Sequence, residues 1–270
     1  VNHIHTALRD FDALDALAAR PTALSRFDPR AKILVTLGFI VTVVSFDRYT
    51  VAALLPFALF PVLMAGLGDI SLRMIARKVL TASPFAVMVG LFNPWLDQRP
   101  LLAVLGYPVA GGWVSFASIL IRFGLTVAAG LVLVASTGLP QICSGLRRLG
   151  VPQVFTTQLL FLHRYALVLV GEAARMSLAR ELRAGSGGAL PLKVYASLLG
   201  HLLLRALERA QRIYQAMVSR GFDGELRTGQ GLAWRSKDSL FLLVCCGSFV
   251  LARQVDGVHG LGRLLLGWLP

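Results

Sequence analysis

The stretch VFTTQLLFLHRYALVLV, residues 154–170, decides the fold. Taken alone it is an apolar run approaching the roughly 20 residues that a membrane helix needs. The pair His163-Arg164 interrupts it midway, where charge inside a bilayer is costly. The residues behind it weigh more. Residues 171–237 contain Arg175, Arg180, Arg183, Lys193, Arg205, Arg209, Arg212, Arg220, Arg227, Arg235 and Lys237, eleven basic residues. Lys and Arg collect on the cytoplasmic side of membrane proteins. A crossing at 154–170 would put all eleven outside. Residues 153–184 are therefore expected to form one long helix that does not cross, apolar at first and then emerging into the cytoplasm.

The periodicity agrees with a helix. Phe155, Leu159, Leu162, Ala166, Leu169, Ala173 and Met176 recur at steps of four and three, which predicts a packing stripe. The next two steps land on Arg180 and Arg183. A second helix is expected after Pro191, with the stripe Tyr195, Leu198, Leu202, Ala206, Ala210, Ile213 and Met217. Its polar face carries Arg205, Glu208, Arg209 and Arg212, with Glu208 and Arg212 as an i, i+4 pair. If it reaches residue 220, Arg209 and Arg220 share a face, since eleven residues make nearly three turns.

Outward from this region the chain is more apolar still. It is 56% hydrophobic and 15% charged, against roughly 25% charged in soluble domains, and its mean hydropathy is +0.67. This is a membrane composition. The 27 basic residues against 14 acidic ones fit cytoplasmic loops rather than nucleic acid, for which no aromatic-and-basic motif is present. Residues 1–30 are polar and carry both signs of charge, so no signal peptide is expected there. Asp28-Pro29 is a helix start: a capping side chain, then proline at the first helical position. Spans are expected over 31–46, 51–68, 79–96 and 113–137, with a basic loop near 73–78 and a Gly/Pro-rich loop over 97–112. Arg9, Arg20, Arg26, Arg30 and Lys32, then Arg73, Arg77 and Lys78, then Arg147 and Arg148 mark the inside; Arg48 and Arg99 stand alone in the outer loops. The N-terminus is thus cytoplasmic. Ser239–Leu251 returns to the membrane, and residues 260–270 are a further apolar piece.

The fold class is an all-α integral membrane protein with about five transmembrane helices, in a range of roughly four to six, plus two long amphipathic helices on the cytoplasmic side. The divisions are an N-terminal cytoplasmic segment 1–30, a four-helix membrane region 31–137, a cytoplasmic two-helix region 138–237 and a C-terminal membrane segment 238–270.

Both cytoplasmic helices end in arginine followed by glycine: LARELRAG at 178–185 and AMVSRGFDGE at 216–225. One reading is a helix cap, since arginine in the last turn favours the helix dipole and glycine sits just past the end. The other is docking, since a planar guanidinium suits carboxylates and carbonyls of a partner. ARMSLARELRAG and ERAQRIYQAMVSRGFDGE, with FDPRAK and LRRLGVP, resemble the cobalt-type transmembrane component (CbiQ family) of energy-coupling-factor transporters. The resemblance spans nearly the whole chain, and AMVSRGFDGE is its most specific part. It implies an importer of a transition-metal ion, most often cobalt(II), with nickel left open. It implies that two ATP-binding cassette ATPase subunits sit on the two coupling helices at the cytoplasmic face, and that a separate substrate-capture membrane subunit holds the metal. The ATPase-coupling residues it implies are Ser219, Arg220 and Gly221 in the second helix, and Arg180 or Arg183 in the first. The first motif departs from the family's alanine-arginine-glycine pattern: Glu181 follows Arg180, and Ala184 precedes Gly185. The protein would then lie in the bacterial cytoplasmic membrane, in contact with the lipid bilayer.

No catalytic constellation or metal cluster is expected, and no cofactor in this chain. The phosphate-binding pattern GxxxxGK[ST] is absent, so ATP would be bound by the partner chains. Cys143, Cys245 and Cys246 read as apolar fillers. His3 and His5 would make a copper or nickel site only with Val1 as the true terminus; His163, His201 and His259 are isolated. Arg122 lies inside the fourth span, either as a functional intramembrane charge or as a side chain snorkelling to the interface. The competing function is a self-contained secondary transporter or channel, for which Arg122 and His163 are the available ionisable groups.

Overall fold

A computed structural model describes residues 17–47, 51–96, 100–104, 107–184, 192–224 and 234–254. His3, His5, Arg9, Arg48, Arg99, Gly185, Arg227, His259 and the apolar tail 260–270 lie outside the described residues. The chain divides into two compact units, 17–138 with 232–270, and 1–16 with 139–231.

The first unit is built around α1, Pro29–Val44. Its start is the one read from the sequence: the Asp28 side chain accepts from the Arg30 N–H, with Pro29 at the first position. Val35, Phe39 and Val43, at i, i+4 and i+8, are fully buried. They pack with Leu54 and Phe57, with Leu125 and Ala129, and with Phe249. Phe39 stacks on Phe60 at 4.5 Å between centroids, and Phe249 meets Phe60 edge-on at 5.1 Å. The opposite face of α1 presents Leu37, Val41 and Val44 outward. A helix apolar on both its buried and its exposed faces is built for a lipid surround.

The second apolar segment begins as a 3-10 helix, Ala52–Ala58, and becomes α-helical only as α2, Leu59–Leu67. Pro56 lacks the N–H that a regular α-helix would use there. Asp69 stops α2 with φ 50°, while the Ile70 N–H reaches back to the Ala65 carbonyl at 2.9 Å. Arg73, Arg77 and Lys78, expected in a loop, instead lie in the first two turns of α3, Leu72–Gly90. Arginine, methionine, alanine and lysine are all good helix formers, and nothing in 72–78 breaks a helix. The close approach of α3 to the long helix after it needs Gly90, where an added Cβ would stand 2.7 Å from the Phe116 ring.

After the one-turn α4, Asn93–Leu96, the expected loop over 97–112 contains an antiparallel ribbon, β1 Pro100–Val104 with β2 Tyr107–Ala110. Then come α5, Gly111–Thr137, and, closing the unit, α9, Ser236–Gln254.

Two helices among the described residues are long and apolar enough to cross a membrane, Gly111–Thr137 and Gln153–Arg183; Ala53–Leu67 is apolar and shorter. A 16-residue helix such as α1 rises only about 24 Å, less than the roughly 30 Å hydrocarbon core. That shortness accounts for 31–46 and 51–68; α3 and α9 have 19 residues each and instead carry three charged residues apiece, Arg73, Arg77 and Lys78 in the one and Lys237, Asp238 and Arg253 in the other.

The second unit holds α6, Leu139–Arg148, a helix beyond those expected from the sequence, then α7, Gln153–Ala184, and α8, Leu192–Val218. The single long helix expected over 153–184 is present.

Candidate functional site

α8 ends in a tight cap. The Gly221 N–H donates to the Val218 carbonyl at 2.9 Å and the Phe222 N–H to the Met217 carbonyl at 3.0 Å. Gly221 has φ +78°, a conformation that suits glycine. This pair of bonds is the Schellman arrangement, in which an apolar residue after the glycine folds back onto the structure. That residue is Phe222, whose ring lies 6.4 Å from the Phe161 ring of α7. The cap therefore does more than end a helix. It pins the end of α8 on α7 and leaves Ser219 and Arg220 exposed. The Ser219 hydroxyl donates to the Gln215 carbonyl at 2.9 Å, so Ser219 shapes the turn. Phe222 is a contact residue that sequence reasoning misses; its signal is its place after a capping glycine. LRRLGVP at 146–152 carries the same arrangement, with Gly150 at φ +99° and the Val151 N–H on the Leu146 carbonyl at 3.1 Å.

Two contacts orient the helix pair. Phe161 meets Phe222, and further along α7 Glu172 accepts from Arg205 of α8. As the α7 number rises, the α8 number falls, so the helices run antiparallel. Arg180 is nineteen residues beyond Phe161 on α7, about 28 Å at the α-helical rise. Arg180 and Arg183 thus stand at one end of the pair and Arg220 at the other, about 30 Å apart. The structure separates the arginines rather than gathering them. Arg183 is exposed and Arg180 half-buried.

Between α7 and α8 lies a groove of about 480 Å³, with Phe161, Leu162, Tyr165, Ile213, Tyr214 and Met217 among its walls. Leu198, Leu202, Ala206, Ile213 and Met217 of the α8 stripe are half-buried; Tyr195 and Ala210 are exposed. The α7 stripe divides. Leu169, Ala173 and Met176 are half-buried, whereas Phe155, Leu159, Leu162 and Ala166 are exposed. The expected packing face is thus only half used within this unit. Glu172 also accepts from Arg175, and Arg212 stands 3.8 Å from Glu208, the pair read from the sequence.

The remaining sequence candidates fall elsewhere. The Arg122 guanidinium donates to the Asp47 carbonyl, and Arg253 Nη1 donates to Ser45 Oγ at 2.9 Å. Both arginines serve the C-terminal end of α1, where the helix dipole favours cations. Arg122 thus has a partner just past the end of α1, a contact that neither sequence reading of it anticipates. His163 is half-buried and His201 exposed. Among the described residues no group of three His, Cys, Asp or Glu side chains could hold a metal.

A helical bundle with apolar outer faces is the build of a membrane protein, and among its described residues no such group of side chains could hold a metal. The chain belongs to the CbiQ family of cobalt transport proteins, whose model matches residues 21–230 and so takes in both arginine-bearing helix ends. It is similar to the cobalt transport protein CbiQ of Rhodobacter capsulatus, 31% identical over 41% of this chain and 46% of that one. It is similar to the nickel permease LarQ of Lactiplantibacillus plantarum, 25% identical over 60% of this chain and 65% of that one. An uncharacterised protein of Methanocaldococcus jannaschii is 24% identical over 82% of this chain and 78% of that one.

Proposed function

We propose that this chain is the coupling subunit of an ATP-driven energy-coupling-factor importer of a transition-metal ion, cobalt(II) foremost, in the bacterial cytoplasmic membrane. The observation that carries the proposal is the antiparallel α7–α8 pair with an arginine motif at each end, about 30 Å apart. One partner pocket cannot hold both ends. Two copies of an ATPase can, each taking one: Arg220, set by the Gly221 cap, in one groove, and Arg180 or Arg183 in the other. ATP closes the ATPase dimer, the two ends move, and the open half of the α7 stripe carries that motion to a metal-capture membrane subunit. ATP is bound by the ATPase chains and the metal by the capture subunit; this chain needs no cofactor. The similarity to both a cobalt and a nickel protein fits a subunit in which metal choice resides elsewhere.

The reading requires α7 and α8 on the cytoplasmic side, with the N-terminus there too. Length and apolarity alone would admit α7 as a span, and the eleven basic residues over 171–237 oppose it. Glu181 is exposed near the α7 end. In a chain otherwise free of cysteine, Glu181→Cys is expected to resist an impermeant thiol reagent added to intact cells and to react once the cells are opened. Reaction in intact cells would put α7 across the membrane and end this reading. The alternative, a self-contained transporter or channel, needs ionisable groups along a path; Arg122 is instead engaged at the end of α1.

A further inference from the structure

The membrane unit holds a buried charged cluster that the proposed function has not used. Lys32 is 1% exposed, Asp28 1%, Thr137 1% and Asp238 3%. Lys32 Nζ donates to Thr137 Oγ1 at 3.4 Å. The Asp28 N–H donates to Asp238 Oδ1 at 2.8 Å, and the Arg235 N–H to Asp238 Oδ2 at 2.8 Å. Phe27 stacks on Phe241 beside them, 4.7 Å between centroids. Asp28 Oδ2 is buried with no hydrogen-bond partner among the described residues. Such a cluster is a poor way to gain stability: buried ion groups can often be replaced by apolar side chains without loss. Their presence asks for another reason.

The reason lies in the chain path. Apart from the passage at 16/17, the chain leaves the membrane unit at 138/139 and re-enters it at 231/232. Thr137 is the last residue of α5, just before the first of these points; Arg235 and Asp238 follow the second. Both points are tied to a single turn of α1, Thr137 through Lys32 and Asp238 through Asp28. We infer that Asp28, Lys32, Thr137 and Asp238 form a clasp that fixes the two links between the arginine-tipped helix pair and the membrane bundle, and that they are positioning residues for energy transfer. This rests on the coupling role proposed above. With the clasp closed, movement of the helix pair pulls on one clamped point of the bundle. With it open, the two points of the bundle are no longer held together and the movement is not passed on. The early motif FDPRAK, residues 27–32, supplies both Asp28 and Lys32, one to each link.

The test uses the full complex in liposomes, with Lys32→Met, Asp238→Asn and the milder Thr137→Val. Amount of assembled complex, ATP hydrolysis and metal uptake are read together. The clasp predicts that assembly and hydrolysis stay within about twofold of wild type, while uptake per ATP falls about tenfold in Lys32→Met and Asp238→Asn and about threefold in Thr137→Val. Because all the groups serve one device, Lys32→Met with Asp238→Asn should be no worse than the worse single variant. A merely structural cluster would lose assembly, hydrolysis and uptake in step, with uptake per ATP unchanged; that result overturns the inference. Should the charge variants fail to assemble, Thr137→Val decides, since it removes one hydroxyl and keeps the shape. A wild-type complex without ATP-dependent uptake would sink the coupling role itself, which is a distinct outcome.

Discussion

Replacing Arg180, Arg183 and Arg220 together with alanine is expected to release the ATPase chains and abolish metal-dependent ATP hydrolysis by the complex. Truncating one partner of a desolvated, hydrogen-bonded charge pair costs roughly 2 to 5 kcal/mol, much of it from the stranded opposite group. The two ends are about 30 Å apart on the helix pair, beyond the distance at which substitutions usually interfere, so their effects should add. Arg220→Ala alone should therefore weaken one attachment and leave partial assembly. Arg220→Lys should fall between it and wild type, because lysine keeps the charge and loses the planar fork. Among the first-helix pair, the exposed Arg183 and the half-buried Arg180 are separated by single substitutions: the docking residue is the one whose loss adds to Arg220→Ala. The readout is co-purified ATPase per chain. If the triple variant keeps its ATPase at the wild-type level, the arginines are helix-end residues and no more.

The second large effect is expected at Leu162, and it separates folding from partnership. Leu162 is 64% exposed and lines the groove between α7 and α8. By periodicity it is one of seven stripe residues expected to pack inward. In this unit it does not, so Leu162→Asp should leave the chain folded and the ATPase attached. In the assembled importer the same carboxylate would be buried against the capture subunit. An unpaired charge in an apolar contact costs several kcal/mol, and about 2.7 kcal/mol is already a hundredfold in affinity. The capture subunit should be lost on purification, and uptake with it. Leu202→Asp differs, because Leu202 is half-buried on α8: it should also loosen the helix pair and lower the melting temperature of this chain. Normal uptake by Leu162→Asp would mean that the open stripe faces no partner.

The contrast between those residues shows what a sequence can carry. Periods of four and three along 155–176 and 195–217 are a property of one helix, so the helices and their apolar faces are legible. What covers each face is a property of the assembly, so the exposed half of the α7 stripe is not. Asp28-Pro29 is legible because a cap is local. Its bond to Asp238 is not, since nothing local joins residues 210 apart. The basic residues 73–78 mislead because charge suggests a loop, whereas arginine and lysine favour helix. The arginine endings are visible in the sequence. Their separation follows only from the two antiparallel contacts, Phe161 with Phe222 and Glu172 with Arg205, and it is that separation on which the proposed docking of two ATPase copies rests.

The most direct measurement is purification of the wild-type chain from native membranes in mild detergent, with the stoichiometry of accompanying chains and the ATP hydrolysis of the preparation determined together. The account predicts two ATP-hydrolysing chains and a second membrane chain that binds the metal, with no metal transport by this chain alone in liposomes. A chain that purifies alone and by itself carries cobalt or nickel ions across a liposome membrane would contradict it.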